Sequence, residues 1–199
     1  MTGIFLQARL SSVRLPRKVL LPFHGEPMIC SAMRRLKNVD ADVYVLCTDF
    51  DSAAELLPLA DDCGFECYAG ETENVLRRFA MAARFYGVET IIRATGDNPM
   101  VDPDAAMFIM DEHLEHGADF SAYQRLPRGR GVEVVEADAL FEADAKADAY
   151  EREHVTPYIY HRPGRFKLHL PLAFHAWRIG PDCTVDTEEQ YQELLRNFP

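Results

Sequence analysis

Gln7-Ala-Arg-Leu-Ser-Ser-Val-Arg-Leu-Pro-Arg-Lys18 follows the short apolar run Ile4-Phe5-Leu6, and the reading of the whole chain turns on this stretch. The 199-residue sequence carries a formal charge of -11, yet no acid precedes Glu26, while Arg9, Arg14, Arg17 and Lys18 all fall in this one segment. An apolar strand that opens into a loop of cations, backbone amides and two hydroxyls, Ser11 and Ser12, suits a polyanion such as a nucleotide phosphate chain. A solvated basic loop has the same composition, so the segment needs support from the rest of the chain. It lacks the glycine spacing of the P-loop and of the dinucleotide-binding turn, which argues against an ordinary ATPase or dehydrogenase.

Strands and helices alternate downstream. Helical spacing of Met28, Ala32 and Leu36 predicts a helix from near Pro27, and Asp42 to Cys47 reads as a strand that leads into a helix over Ser52 to Ala60. A short strand over Phe65 to Ala69 precedes a helix with Leu76, Phe79, Ala80 and Ala83 on one face. A strand over Thr90 to Ala94 ends in Thr95-Gly96-Asp97; Asp102 and Pro103 then cap and open a helix marked by Ile109, Met110 and Leu114.

The second half is less regular. It reads as a basic loop from Arg125 to Gly131, a strand over Val132 to Val135 and a helix over Asp138 to Ala147. A charged turn from Tyr150 then runs into an apolar segment ending at Tyr160, followed by strands over Phe166 to Leu170 and Cys183 to Asp186. Thr187 and Gln190 form a capping box for a last helix bearing Tyr191, Leu194, Leu195 and Phe198. This alternation predicts one domain over residues 1–199, an α/β fold with a mainly parallel sheet covered on both faces. Ligands in such sheets bind beyond the carboxyl ends of the strands, which puts the basic loop and the Thr95 to Asp97 turn on one rim.

Composition narrows the partners. An acidic chain with one basic segment is not a general binder of nucleic acid, whose phosphate backbone calls for an extended basic surface. Five cysteines with no C-x-x-C pair read as reduced, mostly buried thiols. No cationic leader opens the chain and no apolar run has the length of a membrane span, so a cytoplasmic protein with no membrane partner is expected.

Asp97 and Asp186 each sit just past a predicted strand. Two carboxylates on one rim suit Mg²⁺, which takes one or two carboxylates with phosphate oxygens and waters, although each Asp also suits a plain turn or cap. Asp49-x-Asp51 likewise fits the metal and sugar-nucleotide grip of a glycosyltransferase or a simple turn and N-cap, and the cap is the simpler reading.

Four segments in order resemble the cytidylyltransferases that activate acidic sugars, the SpsF-like and CMP-KDO synthetase-like proteins. They are Ala8 to Lys18 with Gly25-Glu-Pro-Met-Ile29, Thr95-Gly-Asp-Asn-Pro-Met-Val-Asp-Pro103, Arg152-Glu-His-Val-Thr-Pro-Tyr158 and Thr184-Val-Asp-Thr187. The resemblance implies a Rossmann-like, GT-A-like nucleotidyltransferase fold of three α/β/α layers, often dimeric. It implies a Mg²⁺-dependent enzyme that moves CMP from CTP to a small acidic sugar or phospho-acceptor with release of pyrophosphate, in surface polysaccharide or glycan precursor synthesis.

Carried over residue by residue, it makes Arg14, Lys18, Asp97 and Asp186 catalytic, with Asp97 and Asp186 as the Mg²⁺ ligands. It gives the nucleotide Ala8, Arg9, Ser11, Ser12, Gly70, Arg77, Thr95 and Gly96, the base pocket lying between the first loop and Gly70 to Arg77. From their own chemistry, Arg128 and Arg152 suit anion contacts to an acidic acceptor or plain exposed arginines, and His154 suits an acceptor ligand, a general base or a structural hydrogen bond. The chain departs from the pattern at Arg17, where glycine is usual, at Gly131, where an acid is common, at Gln190, in place of an acid, and at Asp182-Cys183. Two other readings stay open: a glycosyltransferase using Asp49 and Asp51, and a nucleotide-binding module without turnover.

Overall fold

The computed structural model describes residues 1–199. Strand β1 (Thr2–Gln7) leads into the basic loop, a 3-10 turn (Lys18–Leu20), the hairpin of β2 (Pro22–Phe23) and β3 (Glu26–Pro27), and helix α1 (Met28–Leu36). Next come β4 (Val43–Asp49), α2 (Phe50–Asp62), β5 (Glu66–Gly70), α3 (Val75–Tyr86), β6 (Thr90–Thr95) and α4 (Pro103–His116). The remainder comprises β7 (Phe120–Ala122), β8 (Glu133–Glu136), α5 (Ala137–Lys146), α6 (Ala149–His154), α7 (Pro157–Tyr160), β9 (Leu168–His169), a second 3-10 turn (His175–Arg178) and α8 (Glu188–Asn197).

Seven strands form one sheet in the order β5-β4-β1-β6-β8-β7-β9. All are parallel except β8, which runs antiparallel to both of its neighbours. The chain winds outward from β1 in two directions, through β4 and β5 on one side and β6 on the other, so a crevice opens at the carboxyl ends of β1 and β6.

The period-two alternation of β1 sorts its side chains between two cores. Ile4 and Leu6 pack with Ile29, Met33 and Leu36 of α1, Leu56 of α2 and Ile109 of α4. Phe5 faces the opposite layer, among Leu76 and Phe79 of α3, Leu140 of α5 and Ile159 of α7. Burying each of these large apolar side chains contributes about 1.5–3 kcal/mol. A third, smaller core of Phe23, Met28, Cys183, Val185, Tyr191 and Leu194 joins the hairpin to α8. Tyr191 Oη also donates to the carbonyl of Pro22 at 2.6 Å. This core fixes the segment that bears Asp186.

Several expectations need correction. Cys183 to Asp186 is not a strand: its amides at Cys183 and Val185 donate to the carbonyls of Arg128 (2.7 Å) and Asp97 (3.0 Å), which belong to loops and offer no ladder. Leu114 leaves the apolar face of α4 and is 59% exposed, while His113 takes the inward place, with Nδ1 at 2.8 Å from Ser121 Oγ. The strand expected over Phe166 to Leu170 shrinks to β9, and β7 has no counterpart in the sequence reading. The charged turn after Tyr150 is two short helices joined at Val155, whose φ of 75° and ψ of −61° describe a strained γ-turn closed by the Thr156 amide on the His154 carbonyl at 3.0 Å.

Candidate active site

A cavity of about 440 Å³ lies at the carboxyl ends of β1 and β6. Its wall includes Ala8, Arg9, Ser12, Arg14 and Lys18 from the basic loop, Thr95 and Asp97 from the end of β6, His154 from α6, and Asp186.

The centre of the site is an ammonium between two carboxylates. Lys18 Nζ donates to Asp97 Oδ2 at 2.5 Å and to Asp186 Oδ1 at 2.7 Å, partners 79 and 168 positions away in sequence. Arg14 approaches the same Asp186 oxygen at 3.0 Å from an exposed position. Burial alone would push the Asp186 carboxyl up; the hydrogen bond and charge of Lys18, followed by the charges of Arg14 and Arg128, outweigh it and hold the group below the usual aspartate range. The other oxygen of Asp97 accepts from Thr95 Oγ1 at 2.7 Å, and Thr95 Oγ1 in turn accepts from Asn98 Nδ2 at 2.8 Å.

Backbone contacts set these groups in place. Gly96 donates its amide to the Gln7 carbonyl at 2.8 Å, and a Cβ there would lie 3.1 Å from that of Ala8, so the β6 turn presses directly on the root of the basic loop. Asp186 and Thr187 donate their amides to Gln190 Oε1 at 2.7 and 3.1 Å. A glutamine therefore does the capping that an acid would do at this position. Gly129, at φ 89°, passes so close to the Thr184 amide that a Cβ would sit 2.7 Å from it, which docks the Arg125 to Gly131 loop against the Asp186 segment.

The basic loop is tethered to α2 at both ends. The Leu10 amide donates to Ser52 Oγ at 2.9 Å, and the Ser52 amide donates to Asp49 Oδ1 at 2.8 Å. Asp49 is 1% exposed and caps α2, whereas Asp51 is exposed in its first turn; the two do not form a metal grip, which removes the glycosyltransferase reading based on them. At the other end Arg17 adopts φ 59° and ψ 24°, the left-handed conformation that favours glycine, and its guanidinium pairs with Glu55 of α2.

Some expected residues stand apart from the cavity. Ser11 is exposed at the loop surface, and Gly96 underlies the rim without lining it. Gly70 and Arg77 do not line it either: Arg77 reaches Glu71 and Asp144, each at 3.4 Å. Arg152 also turns to Asp144, at 3.6 Å. Arg128 lines a second cavity of about 270 Å³, which shares Thr95 with the first and includes Arg93, Asn98, Gly131 and Glu133.

The site draws on further residues to which the sequence reading gave no role of their own. Gln7 ends β1 on the rim and accepts from Arg93 Nη2 at 3.0 Å, a position that the carboxyl-end rule would have found. Val75 opens α3 against the cavity, and Glu153 faces Arg9 across it at 3.6 Å. Arg78, one position beyond the residue singled out, is 2% exposed and donates to the carbonyls of Glu71 (2.7 Å) and Thr72 (3.3 Å), bracing the loop that leads to Val75.

Residues 4–196 match the family model described as Cytidylyltransferase. The chain belongs to the cytidylyltransferase family. It is 33% identical to the spore coat polysaccharide biosynthesis protein SpsF of Bacillus subtilis, over 95% of this chain and 82% of that protein. It is 27% identical to a 3-deoxy-manno-octulosonate cytidylyltransferase of Nitratiruptor over 96% and 83% of the two chains. The solved structure of a cytidylyltransferase from Leptospira borgpetersenii superposes with a TM-score of 0.90 at 27% identity, covering 98% of this chain and 84% of the other. The sheet with helices on both faces is thus the nucleotidyltransferase fold shared by cytidylyltransferases. No helix is long and apolar enough to cross a membrane.

Proposed function

We propose that this enzyme transfers CMP from CTP to a small acidic sugar or phospho-acceptor, with Mg²⁺ bound and pyrophosphate released, in the cytoplasmic synthesis of polysaccharide or glycan precursors. The observation that carries the reading is the convergence of Asp97 and Asp186 on one cation, Lys18, in the wall of a cavity lined also by Arg9 and Arg14. Two carboxylate oxygens that touch one nitrogen are close enough to share a small ion, and carboxylate oxygens are the ligands a hard cation takes. No third His, Cys, Asp or Glu joins them, as fits an ion that keeps several waters and phosphate oxygens. Asp97 and Asp186 are the residues that would hold Mg²⁺, which supplies charge neutralisation on the phosphates when bound.

The chain's own groups do the rest. Arg9, Arg14, Lys18 and Ser12 bind the triphosphate, and the tethers to Ser52 and Glu55 keep the loop in one geometry, so that little reorganisation accompanies the reaction. The base lies toward Val75 and the loop held by Arg78. The acceptor enters from the second cavity, where Arg128 offers a guanidinium to an anionic ligand. An acceptor hydroxyl oxygen bonds to the α-phosphorus, the bond from that phosphorus to the bridging oxygen breaks, and pyrophosphate leaves with its electrons. His154, beside Glu153 on the cavity wall, receives the hydroxyl proton in this reading.

Calorimetric titration in Mg²⁺ tests the nucleotide assignment. CTP binds more tightly than ATP in this account, and equal or tighter binding of ATP removes the cytidylyl assignment.

A further inference from the structure

We propose that Lys18 is an internal counter-ion that occupies the divalent-metal position of the nucleotide-free enzyme and is drawn off it by the triphosphate, so that nucleotide and metal bind cooperatively through this one side chain. The proposal rests on the reading of Asp97 and Asp186 as the carboxylates that share the ion.

The geometry makes lysine and metal mutually exclusive. Nζ contacts Asp97 Oδ2 at 2.5 Å and Asp186 Oδ1 at 2.7 Å, the two oxygens free to converge, because the other oxygen of Asp97 is engaged by the Thr95 hydroxyl at 2.7 Å. Asp97 and Asp186 would have to offer these same oxygens to hold a divalent ion, and the ammonium already occupies them. Like charges do not share that place in a partly buried site, where Lys18 is 12% exposed and the two carboxylates 21% and 18%. The lysine has the means to leave. Its backbone is anchored in the 3-10 turn by buried Val19, while a flexible four-carbon stem carries the charge and lies along the wall of the phosphate cavity.

Coupling follows. Before nucleotide binds, the ammonium neutralises the two carboxylates and opposes entry of a second cation. Once a triphosphate lies against the loop, it supplies anionic oxygens for Lys18 and frees both aspartates. By linkage, the factor by which CTP raises metal affinity equals the factor by which metal raises CTP affinity. Arg14 cannot do the same, since it reaches only Asp186 and is 66% exposed.

The test is Mn²⁺ binding without nucleotide, read as free Mn²⁺ by electron paramagnetic resonance. Lys18→Met and Lys18→Gln each bind Mn²⁺ about tenfold or more tightly than wild type, and adding Asp97→Asn to Lys18→Met removes the gain. If neither variant gains affinity, while CTP still promotes Mn²⁺ binding that Asp97→Asn abolishes, the exchange is overturned and the metal site stands. If Mn²⁺ binding ignores Asp97→Asn with and without CTP, the reading of the site falls too. A wild-type readout covers the case in which the Lys18 variants do not fold. Crystals of the CTP and Mn²⁺ complex show Nζ out of hydrogen-bonding range of both carboxylates, and Nζ still bridging them refutes the exchange.

Discussion

The carbonyl of Asp97 accepts a hydrogen bond from the amide of Val185 at 3.0 Å, and through it two remote segments present their carboxylates to one point. The contact needs no strand pairing. Val185 is wholly buried in the small core with Phe23 and Tyr191, so apolar packing holds the Asp186 segment against the end of β6. Replacing Val185 by Ala should cost about 1–3 kcal/mol by removing buried apolar surface. It should also lower turnover more than an equal loss of stability elsewhere in the core. A Leu140→Ala control, in the opposite layer, separates the two effects.

Asp97→Asn and Asp186→Asn should each reduce turnover by roughly 100-fold or more, the scale of losing one preorganised electrostatic contact. Pyrophosphate release measures the loss, and circular dichroism checks that the fold persists. Near wild-type rates in both variants would make the acids structural caps.

Ser52 and Asp51 should behave oppositely, although both lie in the first turn of α2. Ser52→Ala leaves the partly buried Leu10 amide without its acceptor, at a cost of about 1–3 kcal/mol, and should weaken CTP binding by loosening the loop. Asp51→Ala should change stability by less than about 0.5 kcal/mol and leave CTP affinity alone. A reversed pattern in calorimetry would restore a ligand role to the acid.

Arg17 offers a test of backbone strain. Arg17→Gly relieves the left-handed conformation by about 1 kcal/mol and loses an exposed ion pair worth about 0–1 kcal/mol, so the urea midpoint should barely move. Arg17→Val should destabilise clearly, because a β-branched residue resists positive φ. Equal midpoints for the two variants would mean that the loop does not keep this conformation in solution.

Hydrogen bonds from Arg165 and then Lys146 hold the Glu142 carboxyl down at about 2, against an ordinary 4.5. Because its folded value lies below its unfolded one, the contribution of this group to stability is fully present above about pH 4.5 and falls away as pH drops towards 2. Arg165→Ala should therefore flatten the loss of stability between neutral pH and pH 3, measured as urea midpoints. An unchanged slope would show that the surface cluster contributes nothing.

Much of the arrangement was legible because its signals are local. The sign reversal between Gln7 and Lys18 marked the basic loop that lines the cavity, and strand and helix periods placed Thr95 to Asp97 on the same rim. What escaped depends on contacts between remote segments. Cys183 to Asp186 reads as a strand because it is apolar and β-branched, but its partners are loop carbonyls near Arg128 and Asp97, which no pattern in the sequence announces. Arg77 drew attention on α3 in place of Arg78, although Arg78 shares the i, i+3 and i, i+4 face of Val75 and Ala82 and turns inward with them. Arg17 looked like a lapse from the family's glycine until its positive φ and its ion pair with Glu55 explained both the glycine and the exception.

The most direct test of the proposed activity is acceptor-dependent pyrophosphate release from CTP and Mg²⁺, across a panel of acidic sugars and phospho-alcohols, with the nucleotide product identified by mass. At least one acid should yield a CMP-acceptor adduct in step with pyrophosphate, and chelation of the metal should stop both. Tight CTP binding with no adduct and no pyrophosphate from any acceptor would contradict it and leave a nucleotide-binding protein without turnover.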